Sequence, residues 1–229
     1  YMAFHNYRGT ITASVEGHED QYYYGRKPTG AMLPNFRNVR KQEKDFLRGY
    51  MMHFSSSRGH GNSKDDIGAE FKESITEAGP WGVFMMMQGE TIPKYENHVR
   101  LSKDQKDEWG IPQLVTSIGY DDNDEKVLKD FLEQGSEMLD KAGCKNIHQH
   151  DSKQAPGLDI HEMGGIRMGK DSKTSMLNKW NQVHSCQNVF VTDGACMAST
   201  STQNPSLTFM AITARAANHA VEELKKGNL

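Results

Sequence analysis

The sequence predicts an α+β fold, in which an antiparallel sheet with flanking helices is followed by a distinct carboxyl-terminal segment. Residues 10–15 alternate in polarity with a period of two, and residues 81–88 and 113–120 are short apolar runs typical of central strands. Residues 127–142 instead repeat apolar side chains at the helical period of 3.6. We therefore divide the chain into residues 1–155, which hold the sheet and helix, and residues 156–229.

The remaining elements of the first part are less regular. Aromatic residues at 21–24 favour another strand before Gly25, whereas residues 36–66 are polar and contain glycines, which predicts a loop. Residues 93–109 alternate in polarity and then become highly charged, so a strand followed by a solvated turn is expected there. Residues 145–158 show no clear period, and Pro156-Gly157 marks a turn between the two parts.

The helix at 127–142 carries its own start and stop signals. The aspartates between Asp121 and Asp124 are good amino-terminal caps, and Gly143 is well placed to end the helix. Gly135 in its interior costs about 1 kcal/mol relative to alanine, which the apolar stripe of the helix can offset.

Charge and hydropathy exclude several classes of function. The 229 residues include 27 lysines and arginines against 30 acidic residues, a net charge of -3, so we expect no nucleic-acid partner. The apolar runs are far shorter than the roughly 20 residues that span a bilayer, and no leader-like segment opens the chain. We expect a soluble protein, either cytoplasmic or periplasmic. Because the chain opens on Tyr1, we interpret it as a piece of a longer protein.

Cysteine and histidine spacing gives no metal prediction. Cys144, Cys186 and Cys196 are scattered and form no CxxC pair. Imidazoles at 148, 150 and 161, with the carboxylate at 151, are the ligand types that zinc or iron accepts, but 148 and 150 lie on an unpatterned stretch. We therefore predict no metal site, and keep a histidine metal protein as a minor alternative.

Three motifs in the second part point to chemistry. They are HEMGGIRMG at 161–169, NVFVTDG at 188–194 and NPSLT at 204–208. Glycines in the first motif allow close backbone approach to a flat ligand, and the second motif is a strand that ends on Asp193-Gly194 at a ligand-facing edge. The third predicts a helix start with Asn204 as cap and Pro205 as first residue. Free amides at such a start stabilise an anion.

These motifs resemble the glucose-methanol-choline (GMC) oxidoreductases, and the likeness extends upstream through GETIPKYEN at 89–97 and DEWGIP at 107–112. The resemblance covers nearly the whole chain. It implies that residues 1–155 are the substrate-binding domain and that residues 156–229 complete the FAD domain. Within the family, HEMGGIRMG and the region around residues 22–30 are most similar to glycoside 3-dehydrogenases and to the large subunits of gluconate-dehydrogenase-like enzymes.

The resemblance also implies a role for each motif residue. His161 would accept the hydroxyl proton while the alcohol of a sugar or glycoside passes a hydride to the flavin, and Asn204 would hydrogen-bond the substrate oxygen. Asp193 and Gly194 would approach the ribityl-phosphate part of FAD. The backbone of Pro205, Ser206, Leu207 and Thr208 would meet the flavin pyrimidine.

One departure from the family pattern limits the prediction. The glycine-rich βαβ unit that holds the adenine and pyrophosphate does not occur in these residues, so this Rossmann-like unit must come from elsewhere. We expect the chain alone to retain FAD poorly and to be inactive, and expect its strand at 189–192 to be exposed and to favour a homodimer. A cytochrome or quinone is a candidate electron acceptor. The competing hypothesis is a non-catalytic carbohydrate-binding module derived from such an enzyme.

Overall fold

The computed structural model describes residues 1–18, 30–60, 67–158 and 160–229. The strand predicted at 21–24 lies outside these ranges. Twelve strands are defined within them: β1 (Met2–Ala3), β2 (His5–Asn6), β3 (Gly9–Val15), β4 (Ala31–Leu33), β5 (Tyr50–His60), β6 (Ala78–Glu90), β7 (His98–Lys106), β8 (Pro112–Ser117), β9 (Lys145–Asp151), β10 (Met163–Gly164), β11 (Gln182–Val183) and β12 (Cys186–Phe190). The helices are α1 (Ala69–Ser74), α2 (Asp122–Lys141) and α3 (Ser206–Lys225), and a 3₁₀ turn spans Gly194–Cys196.

An antiparallel sheet in the order β4-β5-β6-β3-β9 forms the centre of the fold. Its longest strand, β6, has 13 residues and pairs with β5 on one side and β3 on the other, while β2 pairs with the end of β6. The predicted strands at 10–15 and 81–88 are thus confirmed and prove to pair with each other, and the α+β class with an antiparallel sheet is confirmed.

Helix α2 covers one face of this sheet. Asp121 caps it through the amides of Asn123 and Asp124. Its buried apolar side chains, Val127, Leu128, Phe131 and Leu139, join Ile11, Met52, Met85 and Met87 of the strands in one core. Gly143 follows the helix with φ of +85°, as the sequence predicts. Burial of this apolar stripe supplies the main stabilisation of the helix.

Two predictions about strands are wrong, and one further strand was not predicted. The polar stretch assigned to a loop contains β5, because backbone pairing with β6 and a core-facing start at Tyr50, Met51 and Met52 outweigh its later serines. The patternless stretch after α2 contains β9, an edge strand exposed along most of its length. Residues 112–117 form β8, which pairs only with β7 in a separate exposed hairpin and is not a central strand.

The amino-terminal strands connect the two parts of the chain. Met2 and Ala3 in β1 pair with Gly164 and Met163 in β10, directly after His161. Three residues later, β2 pairs with β6 through His5–Glu90 and Asn6–Gly89. Residues 1–6 therefore lie between the HEMGG motif and the sheet. The position of the boundary at residue 155 stays a prediction.

The strand β12 and the helix α3 of the carboxyl-terminal part are largely exposed. Strand β12 is mostly exposed and, among the described residues, pairs only with the two-residue β11, which agrees with the predicted exposure; a homodimer through it stays a prediction. Helix α3 is confirmed, yet only Ala216 of it is buried, and Leu207, Met210, Val221 and Leu224 are exposed. In the described residues no helix is both long and apolar enough to cross a bilayer.

The predicted cap of α3 is wrong by one residue. The cap position is Pro205, the first helical residue is Ser206, and no described side chain caps the helix. The Asn204 side-chain oxygen accepts a hydrogen bond from Gln88 and none from a helix amide. The start of α3 thus keeps its first-turn amides without a side-chain partner.

Candidate active site

His161 lies against a second histidine. Its Nδ1 atom is 2.8 Å from Nδ1 of His5, and the two rings meet edge to face with centroids 4.9 Å apart. The other ring nitrogen of His5, Nε2, is 2.8 Å from the carbonyl oxygen of Ser201. His5 is 1% exposed and therefore links the HEMGG motif to the loop before α3 through buried contacts.

Tyr7 connects His161 to the sheet. The Tyr7 hydroxyl is 3.1 Å from His161 Nδ1 and donates to Gln88 Oε1 over 2.7 Å. His53 Nε2 lies 2.9 Å from the same Gln88 oxygen. The side chains of Tyr7 and His53 thus meet at the Gln88 oxygen, although they come from the segment after β2 and from β5.

Gln88 completes the connection to Asn204. Its Nε2 atom donates to the Thr202 carbonyl over 3.0 Å and to Asn204 Oδ1 over 3.1 Å. Gln88 is 1% exposed, so both of its amide ends are satisfied by these protein groups. His161 and Asn204, far apart in the chain, are therefore joined through Tyr7 and Gln88 in one hydrogen-bonded network.

The loop that carries Asn204 is fixed to β6 at a second point. Ser199 donates its hydroxyl to the buried carboxylate of Glu90, two residues after Gln88. The Ser199 oxygen also accepts from the amide of Ser201 over 3.2 Å. Arg48 lies 3.9 Å from Glu90 and partly balances its charge. The loop is therefore attached to the end of β6 at two residues, Gln88 and Glu90.

Two residues of the network have left-handed backbone conformations. His161 has φ of +74° and Ser201 has φ of +55°, values that residues other than glycine rarely adopt. Such conformations cost roughly 1–3 kcal/mol each and persist where the surroundings determine them. Both residues contact His5, so the strain is concentrated at the centre of the network.

Burial keeps both histidines neutral. Desolvation lowers the pKa of His161 below its ordinary value, against an opposing effect of Glu162. Desolvation lowers the pKa of His5 to about 4, and the neighbouring His161 and His53 act in the same direction. A neutral imidazole can accept a proton, so His161 has the protonation state that a general base requires near neutral pH.

Asp193 and Gly194 lie in the turn beside the HEMGG motif. The Asp193 carboxylate accepts from the amide of Ala195 and starts the 3₁₀ turn. A side chain at Gly194 would meet the backbone oxygen of Glu162 at 2.7 Å, so glycine is required for the turn to approach the residue after His161. Both line an open cavity of about 700 Å³ together with Glu162, Tyr1 and Leu114, whereas residues 204–208 do not line it.

The start of α3 fits the flavin that the sequence implies. Asn204 and Ser206 to Thr208 are exposed, and the first amide bonded within the helix is that of Phe209, to the Pro205 carbonyl over 3.1 Å. Three uncapped amides at the positive end of a 20-residue helix match the electron-rich carbonyl edge of a flavin. The exposed Leu207 adds an apolar contact surface next to them.

The histidines considered for a metal are not grouped together. His148 and His150 are exposed on the edge strand β9. The Asp151 carboxylate instead pairs with Arg8 over 2.7 Å. Among the described residues, no group of three or more histidine, cysteine, aspartate or glutamate side chains is arranged to hold a metal ion.

Sequence reasoning did not identify His5, Tyr7, His53 or Gln88. His5 and Tyr7 are two positions apart beside the sheet, but a single short alternation carries no signal about a distant partner. Gln88 offered the one usable indication, because an amide that ends the apolar run 81–88 must find buried partners.

Comparison with known proteins identifies the class. The family model described as GMC oxidoreductase matches residues 93–213, more than half of the chain. The chain therefore belongs to the GMC oxidoreductase family.

The chain is similar to three curated enzymes of known name. The chain is 32% identical over 161 residues to the fructose dehydrogenase large subunit of Gluconobacter japonicus, covering 70% of this chain and 29% of the relative. It is 32% identical over 166 residues to paromamine 6'-oxidase of Streptomyces fradiae, covering 71% and 29%. It is 29% identical over 140 residues to 2-methyl-1,2-propanediol dehydrogenase of Mycolicibacterium austroafricanum, covering 60% and 25%. The matched stretch is thus less than a third of each relative.

Proposed function

We propose that this chain supplies the catalytic pair of an FAD-dependent dehydrogenase or oxidase that oxidises an alcohol group of a sugar or glycoside. The observation that carries the proposal is the network that joins His161 and Asn204 through Tyr7 and Gln88, beside the uncapped start of α3. Family membership and the relatives named for sugar and aminoglycoside oxidation support the same reaction class.

In this proposal His161 accepts the hydroxyl proton of the substrate, because burial lowers its pKa and leaves it neutral. Asn204 hydrogen-bonds the substrate oxygen and fixes its orientation. FAD, when bound, supplies the acceptor for the hydride that leaves the alcohol carbon. The amides of Ser206, Leu207 and Thr208 would hold its pyrimidine edge, and Asp193 and Gly194 would lie near its ribityl-phosphate part.

A cavity beside strands β4, β5 and β6 suggests a position for the substrate. This open cavity of about 500 Å³ includes His53, which contacts Gln88, and the aromatic rings of Phe54 and Phe84. Aromatic faces beside hydrogen-bonding side chains suit a sugar ring, which has apolar faces and polar edges. The exposed oxygen-rich part of a glycoside would extend from this cavity.

We further propose that most FAD contacts come from residues outside this chain. The matched stretch covers 29% of the fructose dehydrogenase large subunit, and the apolar stripe of α3 lacks a cover among the described residues. The missing FAD domain would cover that stripe. The chain alone would then retain FAD poorly and be inactive, while a cytochrome or quinone is the electron acceptor to test first in the complete enzyme.

The proposal is tested with His161→Ala in the complete FAD-containing protein. Flavin absorbance should show that FAD stays bound, while stopped-flow flavin reduction by a sugar substrate should slow by roughly 100-fold or more. His150→Ala is the matched control, because His150 is exposed on β9 and should not affect the rate. Normal flavin reduction in His161→Ala would remove the base assignment, whereas no flavin reduction by sugars in the unmodified protein would favour the carbohydrate-binding module.

A further inference from the structure

The hydrogen-bonded network ends on two consecutive backbone carbonyls, those of Ser201 and Thr202. A carbonyl oxygen only accepts hydrogen bonds, so each side-chain nitrogen that contacts one must carry a proton. These two contacts therefore fix proton positions throughout the network.

The Ser201 carbonyl sets the tautomer of His5. Because His5 Nε2 lies 2.8 Å from this oxygen, the ring proton resides on Nε2. Burial keeps His5 neutral, so its Nδ1 atom has a lone pair and no proton. The 2.8 Å contact between the two Nδ1 atoms then requires that His161 carry its proton on Nδ1 and donate it to His5.

The Thr202 carbonyl fixes the Gln88 amide in the same way. Gln88 Nε2 donates to Thr202 and to Asn204 Oδ1, which places Gln88 Oε1 on the opposite side as an acceptor. Tyr7 gives its hydroxyl proton to that oxygen, so the Tyr7 oxygen presents a lone pair to His161 Nδ1 at 3.1 Å. Both neighbours of His161 Nδ1 are therefore acceptors, and the two halves of the network agree.

We propose that the Ser201 and Thr202 carbonyls, acting through His5 and Gln88, hold His161 as its Nδ1–H tautomer and hold Asn204 with its oxygen turned towards Gln88. His161 then has an unprotonated Nε2 that can take a proton, and Asn204 has its NH₂ group to donate. The use of these two groups on an alcohol rests on the proposed function. His5 and Gln88 are positioning residues, since they act through His161 and Asn204.

The direct test is the tautomer of His161, measured on the complete protein with histidine-selective ¹⁵N labelling. Two-bond ¹H–¹⁵N correlations distinguish a proton on Nδ1 from one on Nε2, and the signals that vanish in His161→Ala give the assignment. At pH 7 we expect the Nδ1–H form of His161 and the Nε2–H form of His5. An Nε2–H form of His161 would overturn the inference.

Two variants test the positioning role of His5. His5→Asn keeps an oxygen acceptor near the position of Nδ1, whereas His5→Phe keeps a ring and removes the acceptor. We expect His5→Asn to retain the Nδ1–H tautomer of His161 and most of the flavin-reduction rate. His5→Phe should redistribute the tautomer and slow reduction by about tenfold, with an altered pH profile and a smaller change in KM. Equal behaviour of the two variants would contradict the assignment.

Tyr7→Phe provides a measurement if His5→Phe does not fold. It removes the second acceptor of His161 Nδ1 and leaves the His5 contact, so the Nδ1–H tautomer should persist. Its loss in Tyr7→Phe would show that His5 does not set the tautomer. The tautomer measurement does not depend on turnover. If it gives the expected tautomers while His161→Ala leaves flavin reduction unchanged, only the proposed function is contradicted.

Discussion

Gln88 and Asn204, 116 positions apart, share a hydrogen bond in which Gln88 Nε2 donates to Asn204 Oδ1 over 3.1 Å. This contact places a sheet residue behind the start of α3 and directs the Asn204 side chain towards the sheet. A cap uses the side-chain oxygen of asparagine, and here that oxygen bonds to Gln88 and not to a helix amide. The contact therefore fixes the orientation of Asn204, while the first amides of α3 have no side-chain cap among the described residues.

Gln88→Leu should disconnect the network. The substitution removes the donor to the buried Thr202 carbonyl and the acceptor of the Tyr7 hydroxyl, and a buried group that loses its hydrogen bond costs about 1–3 kcal/mol. We expect that loss in urea unfolding, together with slower flavin reduction in the complete enzyme. Gln113→Leu, at an exposed position of β8, is the control and should change neither quantity. Unaltered stability in Gln88→Leu would contradict the network.

The sequence predicts this molecule well where periodicity is strong and poorly where partners are distant. Helix α2 and strands β3 and β6 were predictable because their apolar patterns face one core. Strand β9 was not, because an exposed edge strand receives its stability from backbone pairing with β3, which leaves no apolar pattern.

The same limit applies to the candidate site. His161 and Asn204 were reached through motif order, but their supporting residues come from two distant segments, His5 and Tyr7 from the amino-terminal one and Gln88 from β6. The pairing of β1 with β10 and of β2 with β6 brings those segments together. A single sequence contains no local signal for such long-range pairing.

Stability should fall as pH is lowered from about 6.5 towards 4, and His5 should cause part of this fall. Burial lowers the pKa of folded His5 to about 4, whereas the unfolded chain takes up the proton near 6.5. Between these values the unfolded state binds more protons, so stability is lost with decreasing pH, by on the order of 3 kcal/mol.

His5→Asn should make the free energy of unfolding less dependent on pH between 6.5 and 4, because asparagine does not titrate. His150→Asn, which replaces an exposed histidine, should leave the slope as it is. The measurement is urea unfolding at several pH values between 7 and 4. A slope that is the same in His5→Asn and in the unmodified protein would rule out His5 as its source.

Asp151 should stabilise the fold at neutral pH through Arg8. Two hydrogen bonds from Arg8, at 2.7 and 3.0 Å, hold the pKa of the Asp151 carboxyl well below its usual range. A carboxyl with a depressed pKa contributes stability above its unfolded pKa of about 4 and loses it as pH falls further. Asp151→Asn should cost about 1–3 kcal/mol at pH 7.

The pH dependence separates this effect from a packing defect. The difference between Asp151→Asn and the unmodified protein should be constant from pH 7 to 5 and should narrow below about pH 4. Asp140→Asn, on the exposed side of α2, is the control and should be near neutral. A difference that does not change with pH would mean that the ionic contact with Arg8 contributes little.

Gly135→Ala should destabilise the protein, although alanine is the better helix former by about 1 kcal/mol. A Cβ atom at 135 would lie 2.5 Å from Ile11 Cδ1 and 2.7 Å from Met85 Sδ, and both side chains are fully buried. Because both side chains are packed in the buried core, overpacking should cost about 1–3 kcal/mol and exceed the gain in helix propensity. Gly119→Ala is the matched control, since a Cβ atom at 119 would have no neighbour within 4 Å among the described residues. Urea unfolding should therefore show a loss only in Gly135→Ala, and a gain there would mean that α2 can move away from the sheet without cost.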